Sequence, residues 1–170
     1  MNELRKIQAE FLEQNPQGGD FNRVVGLLRS AGFFKGLTGI EQNEAVKSMI
    51  QPEYGKRIII ARDNTEYMGA EPEIVGVAVV SNSKLDTEHR EQVVETLFVA
   101  PESRGKGLGG AILGKCVELA IDSGSTSVVF ARSPGYWDPE ATNFLVGHGF
   151  MSSPKDFLPR FPINQPETRQ

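Results

Sequence analysis

Val93-Val94-Glu95-Thr96-Leu97-Phe98-Val99-Ala100-Pro101-Glu102-Ser103-Arg104-Gly105-Lys106-Gly107-Leu108-Gly109-Gly110 is the stretch on which the fold turns. Its first seven residues are apolar apart from Glu95 and Thr96, as a strand in the middle of a sheet would be. Ala100-Pro101-Glu102-Ser103 reads as a turn. A glycine-rich basic loop follows. A stripe of Leu108, Ile112, Cys116 and Leu119, at i, i+4, i+8 and i+11, then marks a helix. Strand, glycine loop and helix in this order make a cradle for an anion. Glycine permits positive φ and close approach of a ligand. The amides of a helix's first turn have no acceptor of their own, and they sit at the positive end of the helix dipole. Arg104 and Lys106 add full charges, so the expected guest carries phosphate.

Three patterns compete for this loop. Gly105-x-Gly107-x-x-Gly110 satisfies the dinucleotide fingerprint, which should open a βαβ unit directly after its first strand and meet an acid about 20 residues on. Here a turn separates strand from loop, the next apparent strand ends on Arg132, and two more strands lie upstream with no helix between them. Gly109-x-x-x-x-Gly114-Lys115 matches a phosphate loop, but Cys116 stands where Ser or Thr should ligate magnesium. The helical stripe also puts Gly114 and Lys115 inside the helix. The third pattern is Arg104-x-x-Gly107-x-Gly109, preceded by Leu97-x-Val99-x-Pro101-Glu102. It resembles motif A of the GNAT superfamily of N-acyltransferases. Ala141-x-x-Phe144-Leu145-x-x-x-Gly149-Phe150 resembles motif B of that superfamily, in which a tyrosine usually follows the phenylalanine. The two motifs cover roughly residues 91–150.

The 170 residues suit one domain with one core, expected over residues 1–163, with residues 164–170 as a frayed tail. A net charge of −4 and a pI near 5.3 argue against nucleic acid as the main partner. No apolar run reaches the ~18 residues of a membrane span, and the first residues lack the apolar core of a secretion signal. A single cysteine, Cys116, calls for no oxidising compartment. His89 and His148, far apart and with no cysteine pair, give no metal spacing. The expectation is a cytoplasmic monomer or homodimer without a metal.

Along the chain, Leu4, Ile7 and Phe11 share a helical face, which predicts a helix over residues 2–14. Asp20 is read as the cap of a helix carrying Phe21, Val24, Val25 and Leu28 and ending at Gly32. Thr38-x-x-Glu41 is a capping box, and Pro52 closes the helix it opens. Strands are expected at residues 57–63, 73–80, 93–99 and 127–131, with a crossover helix at residues 107–122. Residues 82–91 are expected to be a loop. Asp138-Pro139-Glu140 starts a short helix that Gly147 and Gly149 end. Pro154, Pro159 and Pro162 disfavour an interior strand, leaving Phe157, Phe161 and Ile163 for an edge strand. Hairpins among the first three of these strands and a crossover to the next give a mixed, mostly antiparallel α/β (α+β) sheet flanked by helices. This is also the fold the resemblance implies.

The resemblance further implies acetyl-CoA as acyl donor. Its diphosphate would lie on the loop of Arg104, Gly105, Lys106, Gly107, Leu108, Gly109 and Gly110. Its pantetheine arm would lie along Leu97, Phe98 and Val99, where two central strands splay apart. An amine acceptor would attack the acyl carbonyl directly. A side chain at Gly107 or Gly109 should then obstruct the donor without touching the core. A free alkylamine has a pKa near ~10 and arrives protonated, so a base is required. Glu95 is the candidate; the competing reading is that it pairs with a neighbouring cation or points into solvent. Leu145 cannot protonate the leaving sulfur as the usual tyrosine would. A thiolate leaves tolerably well unassisted, or Tyr136 supplies the proton, or the chain is a non-catalytic acyl-CoA-binding or regulatory module. His148 reads as an exposed helix cap and Cys116 as core. Asp86, Glu88, Glu91 and Glu95 favour a cationic amine.

Overall fold

The computed structural model describes residues 8–12, 16, 19–51, 55–63, 72–84, 90–131, 139–152 and 158–163. These form β1 (Gln8–Phe11), α1 (Asp20–Ser30), α2 (Gly39–Met49), β2 (Lys56–Asp63), β3 (Glu73–Lys84) and β4 (Arg90–Val99). After a 3-10 turn at Pro101–Ser103 come α3 (Leu108–Asp122), β5 (Ser127–Phe130), α4 (Pro139–Gly147), β6 (Met151–Ser152) and β7 (Pro159–Pro162). The strands make one sheet in the order β1-β2-β3-β4-β5-β7-β6. Only β4 and β5 run parallel; every other neighbouring pair is antiparallel. The mixed, mostly antiparallel sheet with its helices is the expected fold. Because the strands upstream of the glycine loop are antiparallel neighbours, the dinucleotide reading of that loop falls.

The core forms because the strands are apolar where they meet the helices. Ile58, Ile59, Ile60 and Ala61 of β2, residues 74–80 of β3, and Val94 of β4 are buried. Val24 and Leu28 of α1, Val46 of α2, and Ile112 and Cys116 of α3 close over them in one cluster. Helix α3 runs across β1 to β5, and it contains Gly114 and Lys115 in mid-helix, which removes the phosphate-loop alternative.

The first element differs from expectation. The helical spacing of Leu4, Ile7 and Phe11 does not produce a helix in the described part: residues 8–11 form strand β1, in register with Ile59, Ile60, Ala61 and Arg62. Ala9 and Phe11 alternate onto the core, and Phe11 lies between Arg57 and Lys115. An open edge of β2 is a template for pairing, and it outweighs the helical spacing of three residues. Asp20 is not a cap either. Gly19 holds that position without a side-chain bond, and Asp20 instead pairs with Arg62 at 2.6 Å. The Thr38–Glu41 capping box is present in full; Pro52 lies outside the described residues. Strands β3 and β4 are longer than expected, since Asn82 and Ser83 pair with Gln92 and Glu91; residues 85–89 lie outside the described residues. The last strand is not at the edge. β7 lies between β5 and the two-residue β6, with its prolines at its two ends, where a missing N–H costs least. Residues 164–170 lie outside the described residues.

Candidate active site

The parallel ladder between β4 and β5 runs from Glu91–Ser127 to Val94–Phe130 and then stops. One residue further along β4 the register with β3 slips, from Val80 opposite Val94 to Val79 opposite Thr96, so Glu95 is the extra residue of a β-bulge. A bulge bends a strand and re-aims a side chain. Beyond this point the two strands part. A cavity of about 110 Å³ opens between them, lined by Glu95, Thr96 and Leu97 of β4, Phe130 and Ala131 at the end of β5, Ala141, Thr142, Phe144 and Leu145 of α4, and Pro159. Leu97 therefore lies where the resemblance implies the arm of a donor, and Glu95 stands at the splay. Leu145 reaches the same cavity as an apolar wall.

Glu95 is ion-paired. Lys56, on β2, reaches across β3 and donates to Glu95 Oε2 at 2.8 Å. Lys56 was not singled out by sequence reasoning. The available signal was its position at the head of a period-2 run, on the same face as buried Ile58 and Ile60. Glu91, another of the acids read as favouring a cationic amine, also has partners, Arg160 at 2.9 Å and Ser127 at 3.1 Å. Gln92, which falls between the expected loop and the expected strand, is buried in β4 and donates to the Ser81 carbonyl at 2.8 Å. Asp86, Glu88, His89 and Tyr136 lie outside the described residues.

At the other end of β4, the turn is pinned by the Ala100 amide on the Val75 carbonyl at 2.8 Å and the Ser103 amide on Ala100 at 2.9 Å. The Arg104 amide is engaged in this turn, donating to Pro101 at 3.3 Å. Its guanidinium donates to the Val99 carbonyl and lies over the Phe98 ring. Gly105 and Gly107 have φ of 73° and 84°, a backbone region that side chains rarely accept. Gly107 is the cap of α3, and Ala111 makes the first helical bond back to it. The amides of Leu108, Gly109 and Gly110 thus have no acceptor within the helix. Lys106 is held at 2.9 Å by Asp63, at the end of β2.

Gly109 and Gly110 have a second task that the sequence did not announce. A Cβ on Gly109 would stand 2.9 Å from Phe144 Cζ, and one on Gly110 would stand 2.9 Å from His148 Nε2. These glycines let α4 close onto the first turn of α3, so a side chain at Gly109 would strike α4 and not only a bound ligand. His148 is exposed, as expected of a cap. Its Nδ1–H donates to the Phe144 carbonyl at 2.8 Å and its ring leans on Phe144. The Phe150 amide bonds the Leu145 carbonyl and the Gly149 amide bonds that of Val146, the paired bonds of a Schellman ending. Buried Phe150 then packs edge-on against Phe130 and beside Phe161. The Gly149-Phe150 end of the second motif is therefore what fastens α4 to the sheet. Cys116 is buried in α3, and burial pushes its thiol up to about 12.

Comparison with known proteins agrees with this architecture. The family model described as the acetyltransferase (GNAT) family matches residues 34–150, and the chain belongs to that family of N-acetyltransferases. No curated protein sequence matches it. Among solved structures it is similar to an acetyltransferase of Trypanosoma brucei, at 18% identity and a TM-score of 0.62 over 97% of this chain and 99% of that one. It is also similar to an aminoglycoside acetyltransferase from an uncultured soil metagenomic sample, in complex with sisomicin, at 15% identity and TM-score 0.64 over 83% and 86%. A ribosomal-protein-alanine N-acetyltransferase of Brucella melitensis biovar Abortus aligns at 17% identity and TM-score 0.60 over 84% and 90%.

Proposed function

We propose that the chain transfers an acetyl group from acetyl-CoA to a primary amine, on a small molecule or a peptide, by direct attack. The observation that carries this reading is the distance between the two halves of the site. The anion cradle at the start of α3 and the carboxylate at the splay are joined by β4. Glu95 and Val99 are four strand residues, or about 13 Å, apart. A ligand whose phosphates rest on the amides of Leu108, Gly109 and Gly110 needs a long arm to bring a reactive carbon to Glu95. Acyl-CoA has one in its pantetheine; ATP and NADH have none. The residues present thus fit acetyl-CoA as substrate.

In this reading Leu97, Phe98 and Val99 orient the arm, and Arg104, with Lys106 beside Asp63, adds positive charge near the phosphates. The apolar walls of Leu97, Phe130, Phe144 and Leu145 exclude water from the thioester. Glu95 takes the proton from the incoming ammonium, directly or through water. Leu145 donates nothing, so the sulfur leaves as thiolate. The acceptors named for the structural neighbours, an aminoglycoside and a ribosomal-protein alanine, set the first amines to try.

Calorimetric titration should give acetyl-CoA affinity in the micromolar range, on the order of −8 kcal/mol, with ATP and NADH far weaker. Free-thiol release from acetyl-CoA is then followed across aminoglycosides, polyamines, amino acids and peptides with free N-termini. Release above the hydrolysis background with one acceptor class supports the reading. Binding with no acceptor-dependent release would turn it into that of an acyl-CoA-binding module.

A further inference from the structure

We infer that Lys56 is itself an acyl acceptor, so that the protein acylates its own side chain. This rests on the reading of the splay as the thioester end of an acyl-CoA site. A general base must lie about 2.6–3.2 Å from the atom whose proton it takes. Lys56 Nζ meets that condition, 2.8 Å from Glu95 Oε2. Glu95 in turn lines the cavity where β4 leaves β5. An ammonium in the structure thus already sits beside the candidate base, although Lys56 is not itself a wall of the cavity and reaches a thioester there only by swinging past Glu95.

Three other lysines among the described residues do not share this position. Lys47 pairs with Glu44, Lys106 with Asp63 and Lys115 with Glu118, and none of those acids is a wall of the cavity. The Lys56 side chain is 36% exposed, and its ammonium stands on four flexible carbons, a stem that swings a nucleophile through several ångströms once the ion pair opens. Being tethered, it needs no encounter between bound acyl-CoA and a free amine.

The chemistry balances with an acyl-CoA thioester as the only co-reactant. The Lys56 ammonium gives one proton to Glu95. The amine lone pair attacks the acetyl carbonyl, forming an N–C bond, and the C–S bond breaks. The sulfur leaves as thiolate and takes up the second proton that the nitrogen sheds. The products are Nε-acetyl-Lys56 and free CoA, and the proton on Glu95 passes to solvent. The amide has no positive charge, so the reaction runs once per chain and ends the ion pair with Glu95.

The full-length protein is incubated with acetyl-CoA labelled in its acetyl group, without added amine, and the label is mapped by peptide mass spectrometry. Lys56 should be labelled ~100-fold faster than exposed Lys47, the gain expected of a positioned base, at a first-order rate that does not change with protein concentration. Glu95→Gln should remove most of that advantage while Lys47 labelling stays as it was. Lys56→Arg keeps a cation beside Glu95 but cannot be acylated, and should lose the label at this position alone. Labelling of Lys56 at the Lys47 rate by a protein that binds acetyl-CoA, or a rate that rises with protein concentration, overturns the inference and leaves the acetyl-CoA site standing. A protein that binds no acetyl-CoA in the titration overturns both.

Discussion

At the scale of single residues, Glu95 and Cys116 show how position decides chemistry. Glu95 is the bulged residue of β4, aimed at the splay and met by Lys56. Replacing it with Gln removes the proton acceptor and should lower kcat/KM for the best acceptor amine by ~10²–10⁴-fold. The loss should shrink as pH rises toward the amine pKa of ~10, where the substrate supplies its own neutral form. A pH–rate profile identical to wild type would remove Glu95 from the mechanism. Cys116 is the opposite case, a nucleophile made inert. The stability sign follows from its raised ionisation: the folded thiol resists deprotonation to about 12, whereas an unperturbed one yields near 9.0. The unfolded state therefore binds fewer protons between those values, and stability should fall as pH rises through that window. Native protein should leave an aromatic disulfide reagent unreacted, and denaturant should release one thiol per chain. Rapid labelling of the native protein would contradict the burial.

At the scale of elements, the glycine loop separates into two parts. Gly107→Glu puts bulk and negative charge at a left-handed position beside the proposed phosphates, and should abolish acetyl-CoA binding while circular dichroism stays native. Gly109→Val drives a branched side chain into Phe144. It should cost about 1–3 kcal/mol in urea unfolding before any ligand is added. Equal unfolding midpoints for Gly109→Val and wild type would show that α4 yields without cost. The sequence announced the parts of this site that are written within one segment: the strand, turn and helix around the loop, the stripe on α3, and the Gly149-Phe150 end of α4. It did not announce contacts made across the fold. The closure of Phe144 on Gly109 and the reach of Lys56 to Glu95 join residues 35 and 39 positions apart. Strand β1 was misread for the same reason. Residues 8–11 are too few to show their period, and what makes them a strand is the partner edge of β2. The prolines of β7 pointed to an edge, but only the pairing of β6 shows that another strand covers it.

At the scale of the whole molecule, Arg62 ties the first elements together. It meets Glu10 of β1 at 2.8 Å, Asp20 of α1 at 2.6 Å and the Pro72 carbonyl at 3.2 Å. Arg62→Met keeps most of the apolar stem and loses the bonds to all three partners. It should cost about 1–3 kcal/mol in denaturant unfolding, and high salt should narrow the gap to wild type, because the partners are partly exposed. A loss that ignores salt would point to packing and not charge. The halting of the β4–β5 ladder at Val94–Phe130 has a consequence of another kind. Strand β5 is held to β4 by four register pairs, whereas β3 and β4 share nine. The seam that opens the cleft is therefore also a weaker line in the sheet than the central β3–β4 pairing. In hydrogen–deuterium exchange, amides of β5 should trade their protons well before those of β3, by partial opening at that seam. A molecule that bridged the gap would slow this breathing, so protection of β5 would report occupancy without any chemistry taking place.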